Sequence, residues 1–117
     1  MRVAGFGFRA SASLASLQAA LTLAGGAVDA LATVEGKTKG LAPLADALGL
    51  PLIAVTRAAL AAHQRPGSAR VSGMYGTGSV AESAALAAAG QGARLVVGRL
   101  VSPDGQAVAA IAEGQGP

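Results

Sequence analysis

Short apolar runs alternate with helix-length stretches of small residues along most of this chain, and that alternation constrains the fold more than any single motif. Arg2-Val3-Ala4-Gly5-Phe6-Gly7 reads as a first strand. A helix follows, capped by Ser11 or Ser13, with Leu14, Leu17 and Leu21 on one face, and Gly25-Gly26 ends it. Residues 30–35 make a second strand, and Gly36-Lys37-Thr38-Lys39-Gly40 a polar turn. The helix expected over 41–48 stops at Gly49, with Pro43 placed in its first turn, where a missing N–H is harmless. Residues 51–55 read as a third strand and 57–63 as a third helical piece; 64–78 is the longest irregular stretch.

Ser79-Val80-Ala81-Glu82 fits a capping box, so a further helix is expected to start at Ser79 and to close at Gly90 and Gly92. Leu95-Val96-Val97 is a continuous apolar run, the pattern of a strand buried on both faces. Ser102-Pro103-Asp104-Gly105 is a tight turn by its chemistry, folding 106–112 back antiparallel on 94–100. The order predicts one α/β domain over 1–117: a three-layer α/β/α arrangement around a mostly parallel mixed sheet with an antiparallel edge hairpin.

Composition excludes several classes. Hydrophobic residues make up 52% and charged residues 13%, which argues for a globular chain, and aromatics at 3% leave alanine, leucine and valine to build closely packed layers. The apolar stretch 14–34 is interrupted by Gln18, Gly25, Gly26 and Asp29, so no membrane span is expected. The start of the chain reads as a strand rather than a secretory leader, and there are no cysteines; the expected location is the cytoplasm. Nine Lys/Arg against six Asp/Glu are scattered and lack interleaved aromatics. That distribution argues against nucleic acid and fits a small anionic ligand.

In an open α/β sheet, ligands sit beyond the carboxyl ends of the parallel strands. Three turns map there: Gly7 to Ser13, Glu35 to Gly40, and the loop Gly76-Thr77-Gly78 entering Ser79. The first and third lead into helix N-termini, which offer unpaired N–H groups, and Arg9 and Lys37 add full charges. Capping alone explains the serines of a single such turn; two of them with two bases on the same edge describe an anion cleft.

Other chemistries find little support. Gly5-Phe6-Gly7-Phe8-Arg9-Ala10 matches a dinucleotide fingerprint in letters, with Glu35 where a ribose-binding acid would sit, but bulky Phe6 and Phe8 flank the close-approach glycine. No glycine run precedes a Walker-type lysine, and no Gly-x-Ser-x-Gly elbow occurs. His63 is the only histidine and reads as a solvated helix end. With no cysteine beside it, no zinc site of ordinary ligand type is available, and no cofactor is expected. The acid–base candidates are Glu35, Lys37 and Glu82, the last assigned to capping.

The stretches VAGFGFRASAS (3–13), LATVEGKTKGLAPLADALGLPL (31–52), GTGSVAESAALAAAG (76–90) and ARLVVGRLVSPDGQAVAAIA (93–112) resemble the CobE / CbiG C-terminal domain family of cobalamin biosynthesis. The chain is similar to its free-standing CobE-like form, and between Thr56 and Tyr75 the match is loose. The resemblance implies a compact α/β/α domain that binds or handles an anionic corrin-ring (precorrin) intermediate. It places the family's turn residues on Gly7 and Arg9, its lysine on Lys37 and its capping motif on Ser79 and Glu82. The alternative is a lactone or ring-opening hydrolase using Glu35 or Lys37 with a water. A corrin-pathway methyltransferase is the candidate partner. Corrin intermediates carry rim carboxylates around a flat apolar ring, for which Phe6, Phe8, Met74 and Tyr75 are the expected apolar contacts.

Overall fold

The computed structural model describes residues 1–63 and 77–116. Among them the order is β1 (Arg2–Phe8), α1 (Leu14–Ala24), β2 (Ala30–Val34), α2 (Thr38–Leu48), β3 (Leu52–Val55), α3 (Arg57–Ala62), α4 (Thr77–Ala89), β4 (Arg94–Val101) and β5 (Ala107–Glu113). The strands form one sheet in the order β3-β2-β1-β5-β4. β1, β2 and β3 are mutually parallel; β5 is antiparallel to both β1 and β4, so β4 runs the same way as β1.

Alternation along the strands sends two different surfaces to the two faces. Ala4, Phe6, Phe8, Leu31 and Ile111 meet Leu17, Leu21, Leu41 and Leu44 of α1 and α2. On the other face Val3, Ala30, Ala32 and Ala112 meet Ala84, Ala85, Ala88 and Ala89 of α4, with Leu60 of α3 alongside. The first face gains from burying large side chains, about 1.5–3 kcal/mol each. The second has little side-chain volume to bury and depends on close approach, which small residues permit. This is the three-layer α/β/α arrangement the sequence predicts.

Four local expectations change. α2 begins at Thr38 rather than Leu41, so Pro43 lies in the helix interior and Lys39's carbonyl loses the N–H that position would supply. α4 begins at Thr77, two residues before Ser79. Leu95, Val96 and Val97 are only half-buried, because β4 is the edge strand and its pairing is broken by two register shifts. Of the two hairpin strands, the one buried on both faces is β5, which lies between β1 and β4; the hairpin closes the edge, with its antiparallel member one place in.

Glycines at the helix ends behave as their spacing predicts: Gly25 and Gly49 are left-handed C-caps accepted by α1 and α2. No helix among the described residues is long and apolar enough to cross a membrane.

Candidate functional site

The parallel strands end at Phe8, Val34 and Val55, and backbone pairing aligns these ends: Val34 pairs Val55, and the Glu35 N–H donates to the Val55 carbonyl at 2.8 Å. The first turn of α2 lies over the neighbouring strand end, where a Cβ on Gly40 would come within 2.4 Å of Phe8 Cε2. Arg9 and Lys37 therefore leave adjacent strands at one end of the sheet, and both are exposed. α4 reaches that end too. Its Ala81 carbonyl lies over Gly5 and its Ala89 carbonyl over Gly114, so the helix starts near the carboxyl end of β1 and runs toward the amino end.

Thr77, Gly78 and Ser79 form the first turn of α4, and Gly76, Met74 and Tyr75 lie outside the described residues. Gly7 is a buried strand residue paired with Val108 rather than part of a turn, and Gly5 is likewise within β1. That removes the dinucleotide fingerprint, whose glycines must shape a turn after the strand. Glu35 is exposed and precedes Gly36, which adopts φ +90°. Phe6 and Phe8 are core residues, 0% and 8% exposed, and offer no face to a ligand ring. His63 is the C-cap of α3, as its position predicts.

With α4 starting at Thr77, Glu82 falls in its second turn rather than at the third helical position after a Ser79 cap. Its carboxylate accepts the Arg99 N–H at 3.2 Å and lies against Gly98, beside the register shifts of β4. A bulged edge strand leaves N–H groups without ladder partners, and Glu82 satisfies one of them.

The helix N-termini at this end are not equivalent. Ser13 is the N-cap of α1 and accepts the Ser16 N–H at 3.1 Å. The Ser16 hydroxyl donates in turn to Asp104 Oδ2, so a carboxylate of the chain itself already sits at this helix start. Asp104 Oδ1 accepts from the Ser102 hydroxyl at 2.6 Å and from the Gln106 N–H at 3.0 Å. Hydrogen bonds from Ser102, then Ser16, then Gln106 stabilise the charged form and hold the Asp104 carboxyl below its ordinary value. By contrast, the N-cap of α2 is Lys37, with no side-chain cap and no acidic residue in the first turn. The turn Glu35 to Gly40 thus leads into the helix start with no side-chain cap.

Sequence reasoning finds the Ser102–Gly105 turn but misses the Asp104–Ser16 contact, whose partners are 88 residues apart. The turn chemistry accounts for the aspartate locally, so no signal in the sequence points to Ser16.

Five mixed strands layered between helix pairs, with basic turns at the carboxyl end, define a three-layer α/β/α domain. The family model of the cobalamin synthesis G C-terminus matches residues 2–112, and the chain belongs to this CobE/CbiG family of cobalamin biosynthesis proteins. Among solved structures it is similar to cobalamin biosynthesis protein chiG from Agrobacterium tumefaciens, with 38% identity and TM-score 0.73 over 98% of this chain and 99% of that one. It is also similar to CobE, a protein from the cobalamin (vitamin B12) biosynthetic pathway, with 31% identity and TM-score 0.72 over 100% and 92%. A cobalamin biosynthesis protein G homolog from Sulfolobus solfataricus shares the fold at 14% identity and TM-score 0.74, over 99% of this chain and 37% of that one. No curated protein matches the chain.

Proposed function

We propose that the carboxyl end of the sheet binds an anionic corrin-ring intermediate through its rim carboxylates. One observation carries this reading: Arg9 and Lys37 leave adjacent strand ends beside a helix start that lacks a side-chain cap. Carboxylates suit both elements, because ammonium and guanidinium groups and helix-start N–H groups each form charge-assisted hydrogen bonds. The start of α1 is closed by Asp104, so the ligand is assigned to Arg9, Lys37 and the first turns of α2 and α4. Membership of the cobalamin family supplies the ligand class, and handing the intermediate to a corrin-pathway methyltransferase in the cytoplasm goes with this role.

The test is an absorbance titration with cobyrinic acid, a corrin with free rim carboxylates. Saturable binding is expected, weakened by salt and by amidation of the carboxylates. Lys37→Ala should weaken it about tenfold, the value of one charge-assisted hydrogen bond at the low end of its range. Equal affinity of wild type and Lys37→Ala at low salt would remove the anion cleft. Spectral turnover of a lactone-bearing corrin, abolished in Glu35→Gln or Lys37→Ala without loss of binding, would replace the carrier role by a hydrolase.

A further inference from the structure

We propose that Asp104 is a positioning residue, whose carboxylate latches the β4–β5 turn onto α1 and thereby fixes the loop that carries Arg9. The inference rests on the ligand reading above and adds a residue that touches no ligand.

The latch is built from both carboxylate oxygens. Oδ1 holds the turn, through the Ser102 hydroxyl and the Gln106 N–H, while Oδ2 takes the Ser16 hydroxyl in the first turn of α1. Ser102 is itself buried, and its oxygen accepts the Ala107 N–H at 3.1 Å, so the turn side of the latch is anchored in the start of β5. Gln106 passes the constraint on. Its carbonyl accepts the Arg9 N–H at 2.9 Å, and its side-chain oxygen accepts the Ser11 hydroxyl at 2.8 Å. The Arg9 carbonyl accepts the Ala12 N–H at 2.9 Å, and Ser13 then caps the helix. The loop from Arg9 to Ser13 is thus held between the β4–β5 turn and α1, and the Asp104 side chain bonds both. A carboxylate at a helix start is favourable in its own right, which makes the arrangement self-consistent.

Two measurements on the full chain test this. In the first, amide hydrogen exchange compares wild type, Asp104→Ala and Ser16→Ala, the last cutting only the α1 side. Exchange at the Arg9 and Ala12 amides should rise about tenfold in both variants while the β1 interior stays protected. Unchanged exchange in both would overturn the latch, whatever the ligand. In the second, cobyrinic acid is titrated into wild type, Asp104→Ala, Arg9→Ala and the double variant. Asp104→Ala should weaken binding several-fold, approaching the effect of Arg9→Ala, and should add nothing in the Arg9→Ala background. A purely structural role predicts additive losses instead, and additivity would overturn the positioning role. If wild type itself fails to bind, the ligand reading fails and the positioning role with it, while the exchange data still decide the latch.

Discussion

Gly5 has no room for a side chain: a Cβ there would meet the Ala81 carbonyl oxygen at 2.1 Å and the Ala85 nitrogen at 2.5 Å. Both obstacles are backbone atoms of α4, so relief requires the helix to move off the sheet. Gly5→Ala should therefore cost about 1–3 kcal/mol or more, as overpacking does, and lower the urea midpoint accordingly. An unchanged midpoint would show that α4 is not seated on β1 as closely as described. In the sequence this glycine falls in the first strand and also matches a dinucleotide fingerprint in letters only; the requirement it meets is helix-to-sheet packing. Glu82 teaches the same lesson. A serine three residues before it makes a capping box by pattern, yet the carboxylate is drawn to an N–H that the bulged edge strand exposes.

At the scale of elements, periodicity and glycine stops locate the described strands and helices, and the bounds fail where side chains give no signal. α2 starts at Thr38 although Lys37 offers no capping oxygen, so its start is marked only by the turn before it. β5 reads Ala-Val-Ala-Ala-Ile-Ala, too small to announce a central strand, whereas the bulkier Leu95-Val96-Val97 lies at the edge. For α1 the sequence leaves Ser11 and Ser13 equal as caps, and the structure decides for Ser13, whose oxygen takes the Ser16 N–H; Ser11 bonds Gln106 instead. Ser13→Ala should cost about 1 kcal/mol, the usual value of a lost N-cap, and Ser11→Ala should stay within about 0.5 kcal/mol. Chemical denaturation of both variants checks the assignment, and an equal or reversed ranking would contradict it.

Across the whole molecule, charge is arranged by the two ends of the sheet. At the amino end Arg2 donates to Glu113 at 2.7 Å and its N–H to Asp29 at 2.8 Å, and Arg94 lies 3.7 Å from Glu113. No such ion pair holds Arg9 or Lys37 among the described residues, which leaves the carboxyl end basic, with Asp104 turned inward onto α1. That Arg9 and Lys37 each follow a parallel strand at one end of the sheet is legible in the sequence; the contact of Asp104 with α1 is not, because it depends on how the last hairpin closes the sheet. This contact links stability to pH. The Asp104 pKa is lowered in the folded protein by the Ser102, Ser16 and Gln106 hydrogen bonds. The folded state therefore binds a proton less readily than the unfolded chain, whose aspartates titrate near pH 3.9. The stabilisation is complete above that value and disappears as pH falls through the lowered folded value. Asp104→Asn keeps the shape without the charge, so wild type should exceed it in stability near neutral pH, and the gap should close in acid, below about pH 4. Urea midpoints of the two proteins measured stepwise from neutral pH into acid give the answer, since carboxylates common to both largely cancel in the difference. A gap that stays constant, or widens in acid, would mean that the Asp104 charge does not hold the two ends of this contact together.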